Sequence, residues 1–181
     1  MARNTLSRAL HDLGLSAWFG GTLANAVALN AAAGEAGKDT GKVANAGWNR
    51  WTPVNAVAIG AHLVGSVGQL IGNRGRLANQ EGVASMSAVK TLVTAAALGA
   101  TAYSRSLGII VNGGGGGAGN PSARSGTKPT KRTKAEIAAA QEQLNALQWI
   151  IPALTGTLVA ISSYAGEQQR ASEVIKGVSR S

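Results

Sequence analysis

The sequence predicts an all-α protein, an antiparallel bundle of four transmembrane helices with a disordered glycine-rich loop between the third and fourth helices. Two observations predict this fold. Four apolar runs, each close to the ~20 residues that cross a hydrocarbon core, occupy residues 13–33, 53–72, 87–110 and 147–166. The 25 glycines would weaken helix interiors in water, whereas small residues let membrane helices approach closely. We therefore treat residues 1–181 as a single membrane domain.

The first run, residues 13–33, follows His11 and Asp12 and contains no charged side chain. A cleaved signal peptide is the alternative interpretation, because basic residues precede the run and small residues follow it in "NAAAG". The polar Asn25 inside the run, and the length of the run, favour a retained transmembrane helix.

The second run, residues 53–72, also contains no charged side chain. A soluble alanine-rich bundle is the alternative fold, but each of its helices would need a charged face. Trp51 and Pro53 mark the start of the run. Tryptophan prefers the membrane interface, and proline is tolerated in a first helical turn, so we predict that the helix begins here.

The third run covers residues 87–110, and the fourth covers residues 147–166. An amphipathic stretch, "TKAEIAAAQEQLNALQW", precedes the fourth run and is typical of a helix that is already under way. Pro152 would then lie inside a longer helix and kink it. We predict a lead-in helix on the membrane surface that bends into the fourth span.

Residues 112–134 are predicted to form a flexible basic linker, and residues 167–181 a polar tail. Five consecutive glycines, prolines and like charges keep such a linker extended. It could be a plain loop, a tether or a basic arm for anionic lipid or a partner. The net charge of +9 does not predict a nucleic-acid partner, because no aromatic residues interleave with the basic run to stack on bases.

Polar residues recur every seven positions along the apolar runs. Seven residues are nearly two helical turns, so each set lies on one face of its helix. We call these residues the polar seam and predict that they line the inside of the bundle, where they find hydrogen-bond partners that lipid lacks. The polar seam comprises His11, Trp18, Asn25, Asn55, His62, Gln69, Thr94, Thr101, Gln148, Thr155 and Ser162.

His62 is the candidate functional residue of the polar seam, because an ionisable group within a span is functional by default. The alternative is a purely structural role, in which a neutral imidazole is hydrogen-bonded to Thr155 or Asn25. His11 and His62, the only histidines, are predicted to lie about one layer apart, so no haem is expected. Without cysteine, and without a carboxylate beside His62, the sequence predicts no metal site and no cofactor.

Three stretches carry a resemblance to known proteins: "HDLGLSAWFGG", "NAVAIGAHLVGSVG" and "LQWIIPALTG". Together they resemble small, uncharacterised four-helix membrane proteins of actinobacteria. The first stretch, with His11 seven residues before Trp18, is also similar to the copper-resistance D membrane family. That second resemblance covers about a dozen residues and implies metal handling around histidines, but this chain has no cysteine and only two methionines.

The sequence therefore predicts a multi-pass cell-membrane protein with cytoplasmic termini and no enzymatic activity. The predicted role is an accessory or interaction subunit, or a bundle that holds a small ligand along the polar seam, principally at His62, Trp18, Asn25, Asn55, Gln69, Thr94 and Thr155. Its expected partners are the lipid bilayer and other membrane proteins or further copies of itself. Two alternatives remain: a small transporter or proton-coupled path that uses His62, and a membrane oxidoreductase or metal protein.

Overall fold

The computed structural model describes residues 4–113, 127–131 and 133–179, and within these ranges the chain is helical without a strand. A π-helical turn, Asn25–Leu29, joins the first two helices, and a 3-10 turn, Gly37–Asp39, precedes the third. The helices are α1 (Thr5–Ala24), α2 (Asn30–Glu35), α3 (Thr40–Gly72), α4 (Arg74–Asn79), α5 (Val83–Gly113), α6 (Ala135–Glu167) and α7 (Ala171–Ser179). The all-α prediction is confirmed.

Three helices of the described chain, α3, α5 and α6, are long and apolar enough to cross a membrane. They contain the second, third and fourth predicted runs. The first predicted run, residues 13–33, is not among them; it is divided between α1, the π-helical turn and α2. The structure thus supplies three candidate spans where hydropathy of the sequence predicted four.

Pro53 and Pro152 each lie inside a helix. The prediction that Pro53 begins its helix is wrong, because α3 starts at Thr40 and Pro53 stands well within it. Pro152 lies inside α6, as predicted, and the amphipathic lead-in from Ala135 is continuous with the fourth apolar run. Loss of one ladder hydrogen bond by each proline is tolerated because the rest of a helix of 33 residues remains bonded.

Glycines bring the backbones of α1 and α3 into direct contact. A Cβ atom at Gly14 would lie 2.4 Å from the Ala58 carbonyl oxygen, and one at Gly65 would lie 2.3 Å from the His11 backbone nitrogen. The Asn4 side chain donates to the Gly68 carbonyl oxygen at 3.0 Å. These contacts pair the start of α1 with the end of α3, so the two helices run antiparallel.

The other glycines of α1 and α3 differ in how closely they approach the neighbouring helix. Gly68 and Gly72 face α1, where they meet Ser7 and Asn4, as expected from their small size. A side chain at Gly20 would meet nothing, whereas one at Gly21 would overlap the Trp51 ring. Of the adjacent Gly20 and Gly21, only Gly21 lies at a close contact between α1 and α3.

The core lies where α6 meets both α1 and α5. Its central cluster contains Leu15, Trp18, Ala58, Ala97 and Leu158. A second cluster between α5 and α6 contains Leu107, Val111, Ile137 and Ala140. The outward face of α3 exposes a row of large apolar side chains, among them Val57 at 74% and Val64 at 63%, a surface that suits lipid contact better than water.

The predicted linker and tail are only partly described. Asn112 and Gly113 belong to α5, so the linker starts later than predicted. The glycine run and the rest of residues 114–126 lie outside the described residues, and the prediction of a flexible tether there stays a prediction. Thr127 is buried, with its hydroxyl donating to Asn145 Oδ1 at 3.2 Å. The predicted polar tail contains α7, whose Gly177 carbonyl accepts from the Glu81 backbone at 3.4 Å.

Candidate functional site

The polar seam lies inside the bundle at its centre. His11 and Trp18 of α1, His62 of α3 and Thr155 of α6 are each at most 1% exposed. The remaining members are half-buried: Asn25, Asn55, Gln69, Thr94, Thr101, Gln148 and Ser162. The seven-residue spacing therefore located an inward face on each long helix.

The two histidines touch, so the prediction that they lie a layer apart is wrong. Their ring centroids are 4.5 Å apart with the planes inclined at 47°. The physical reason is the glycine contact described above. It lets the backbones of α1 and α3 pack closely, at an axial offset that places His62 beside His11. Rings in contact leave no room for a haem plane between them. No group of three metal-ligating side chains occurs in the described part of the chain.

Acceptors fix the tautomers of both imidazoles. His11 Nδ1 donates to Asp12 Oδ1 at 2.6 Å, and His62 Nδ1 donates to the His11 carbonyl oxygen at 3.4 Å, because a carboxylate or carbonyl can only accept. The prediction of a structural hydrogen bond from His62 to Thr155 or Asn25 is wrong. Thr155 instead donates to the Ile151 carbonyl of its own helix at 2.9 Å. Both Nε2 atoms are buried without a partner among the described residues.

Replacing His62 with leucine should destabilise the bundle modestly, by roughly 0.6 kcal/mol and by no more than about 2 kcal/mol. The substitution removes one long hydrogen bond but keeps an apolar side chain against Trp18, whose ring centroid lies 6.1 Å from that of His62. Unfolding in mixed micelles measures the loss. Val64→Leu, on the exposed outer side of α3, is the control. A larger loss would mean that His62 anchors a polar network beyond these contacts.

A polar junction that sequence spacing did not find ties three helices together. Asn30, at 3% exposure, donates to Gln148 Oε1 of α6 at 2.6 Å and accepts from Trp48 Nε1 of α3 at 3.1 Å. Asn30 follows the polar-seam residue Asn25 by five positions, not seven. The intervening π-helical turn has more residues per turn than an α-helix. It therefore changes which sequence positions face the inside of the bundle. An asparagine within an apolar run was the available signal.

A cavity of about 340 Å³ lies beside this junction, between α3, α5 and α6. We call it the α3–α5 cavity, since those two helices form most of its wall. Its size falls at the small end of ligand sites, which run from about 300 Å³ upward. Its apolar wall includes Ala44, Ile59, Leu98, Val111, Leu144 and Ile151, and its polar groups include Trp48, Trp51, Thr52, Asn55, Thr101 and Arg105.

The polar groups of the cavity wall fall into two sets. The members of one set have partners within the protein. The Thr52 hydroxyl donates to the Trp48 carbonyl oxygen at 2.9 Å, and Trp48 Nε1 donates to Asn30 Oδ1. The other set is buried with no partner among the described residues: Trp51 Nε1, Asn55 Oδ1 and Thr101 Oγ1. Buried polar atoms without partners are costly and uncommon. These three atoms are closed off from the cavity as well as from solvent, so the volume and the largely apolar wall of the cavity mark it as the candidate ligand site.

The sequence found only part of this site. Asn55 belonged to the predicted ligand-binding set, whereas Trp18, His62 and Thr155 of that set do not line the cavity. Comparison with known proteins adds nothing to the assignment: no family model, no curated protein and no solved structure matches the chain. The cavity itself carries the functional argument.

Proposed function

We propose that the chain is a multi-pass membrane protein without enzymatic activity that holds a small, mainly apolar ligand in the α3–α5 cavity. The observation that carries this proposal is the cavity of about 340 Å³ between α3, α5 and α6, whose wall is largely apolar. An apolar pocket with a few convergent polar groups is the common form of a small-molecule site. Lipid and further membrane proteins are the partners of such a chain.

In this proposal α1 is a fourth span, with both termini in the cytoplasm. Its lower hydropathy fits a helix that α3 and α6 shelter from lipid. Gly14 and Gly21 contact α3, while Phe19 packs against Gly156 of α6. His11 and Thr22 of α1 are buried against protein, so a bilayer would not have to solvate these two side chains.

The packing at the middle of the bundle favours ligand holding over a permeation path. A path along the polar seam would need continuous polar space through His62. Trp18, His62 and Leu158 are instead completely buried, and the cavity wall ends at Ile59 and Leu98, short of that layer. Opening a route would require displacement of a closely packed core, and cores resist such rearrangement.

Filling the cavity should abolish ligand retention. Gly108 lines the cavity, and a Cβ added there would meet no atom within 4 Å, so Gly108→Leu occupies the space without moving the backbone. We expect native mass spectrometry of the wild type, released gently from membranes, to show an adduct of a small molecule. The Gly108→Leu protein should lose that adduct.

Gly99→Leu is the matched control. Gly99 lies on the same helix, also has nothing within 4 Å of an added Cβ and does not line the cavity. This variant should keep the adduct at the wild-type level. Equal retention by both variants, or no adduct in the wild type, would overturn the proposed function.

A further inference from the structure

We propose that α7 is an interfacial helix, which lies on the membrane surface and places its apolar side between the lipid headgroups. This inference rests on the membrane location in the proposed function and adds a lipid-binding surface outside the spans. Three observations support it: the distribution of side chains around α7, the contacts that hold α7 to the bundle, and the position of those contacts at the polar end of the spans.

Apolar and polar side chains occupy different sides of α7. At 3.6 residues per turn, the apolar side chains fall within an arc of about 100°, the width of an amphipathic stripe; they are Ala171, Val174, Ile175 and Val178. Ile175 is 69% exposed and Val178 is 50% exposed. Glu173 lies on the other side of the helix and is also exposed. The bundle therefore covers only part of the apolar stripe.

The bundle holds α7 at Gly177, beside the apolar stripe. The Gly177 carbonyl oxygen accepts from the Glu81 backbone N–H at 3.4 Å, and a Cβ atom at Gly177 would lie 2.7 Å from Gln80 Cγ. Around the helix axis, Gly177 is about 100° from Val178 and about 160° from Ile175. This contact leaves both apolar side chains open. A helix of nine residues is marginal on its own in water, so a surface that covers its apolar side would stabilise it.

The same contacts place α7 at a polar end of the bundle. Gln80, which meets Gly177, also donates through Nε2 to the Gln168 carbonyl oxygen at 3.1 Å. The Arg76 guanidinium donates to this oxygen at 2.8 Å. The connection between α3 and α5 therefore meets the end of α6 here. A guanidinium at the end of a span belongs at the headgroup level and not in hydrocarbon, so α7 lies at the boundary between hydrocarbon and water.

Continuity with α5 favours lipid as the partner of the open apolar side. α5 begins at Val83, shortly after Glu81, and exposes Val89 and Leu92 within its first turns. Because α5 is long and apolar enough to cross a membrane, these side chains would contact lipid in a membrane-embedded chain. α7 is joined to the start of the same helix. Its open side would therefore reach the interfacial zone, where amphipathic helices bury their apolar face by roughly 5–10 Å.

The test measures the depth of a nitroxide label by electron paramagnetic resonance. The chain contains no cysteine, so each single-cysteine variant of the full chain accepts one label. Oxygen concentrates in lipid, whereas a charge-neutral nickel chelate stays in water. In nanodiscs of phosphatidylcholine, we expect the label on Ile175→Cys to collide more often with oxygen than with the chelate. The label on Glu173→Cys, about 160° away around α7, is the matched control and should show the reversed ratio.

A third label, on Val64→Cys of the exposed face of α3, reports the membrane location separately and should collide with oxygen. If it does, preference for the chelate at Ile175 would overturn the interfacial assignment and leave the membrane location intact. Few collisions with either reagent at Ile175 would mean that protein, such as a second copy of the chain, covers the apolar side, and would overturn lipid as the partner. Preference for the chelate at Val64 would overturn the membrane location and the assignment of α7 together.

Discussion

Gly65→Ala should destabilise the bundle by about 3 kcal/mol, the upper range for overpacking a tight core. The added methyl carbon would lie 2.3 Å from the His11 backbone nitrogen and 2.5 Å from the Ser7 carbonyl oxygen. Both neighbours are backbone atoms, which cannot rotate away as a side chain can. The α1 and α3 helices would have to separate, and the contact between His11 and His62 would be lost. Unfolding in mixed micelles, followed by circular dichroism, measures the change.

Gly60→Ala is the control for this prediction. Gly60 belongs to the same helix, and an added Cβ there meets no atom within 4 Å. That variant should be neutral or slightly more stable, since alanine favours a helix over glycine by up to about 1 kcal/mol. Similar stability of the two variants would contradict the close backbone contact between α1 and α3.

Trp18→Ala should cost about 3–5 kcal/mol, the usual range for truncating a large buried aromatic side chain. Trp18 is fully buried and touches the central cluster around Leu15, Ala97 and Leu158. Its removal would leave a void at the point where α1, α5 and α6 meet. Thermal unfolding in detergent is the measurement, read by loss of helical signal.

Trp149→Ala provides the matched comparison, because Trp149 is half exposed on the outside of α6. Removing it opens no internal void, so its melting temperature should stay within a few degrees of the wild type. If truncation of Trp18 were as mild, the centre of the bundle would be loosely packed, and the argument against a permeation path through His62 would fail with it.

Hydropathy and spacing were sufficient to predict the long helices and their inward faces. The apolar runs within α3, α5 and α6 could be located because a span needs about 20 apolar residues. Trp18 and His62 could be predicted to face inward because a step of seven residues returns to the same helix face. Both signals are local, so a single sequence contains them.

The cavity and the histidine contact could not be predicted in this way. Where His62 sits relative to His11 depends on the axial offset between α1 and α3, which Gly14 and Gly65 set through backbone contact. The cavity exists because α3 and α5 both pack on other helices and only weakly on one another. The position of Asn30 depends on the π-helical turn, which leaves no pattern in the sequence. Each of these features comes from tertiary packing.

The sheltered position of α1 has a consequence for biosynthesis. The ribosome makes α1 before α3 and α6, the helices that cover its histidine and its glycine face. A nascent α1 alone would expose His11 and Thr22 to hydrocarbon, and such groups are costly there without partners. In a chain built as proposed, we expect α1 to wait at the interface or in the insertion machinery until α3 emerges, so that the two helices enter the bilayer as a pair.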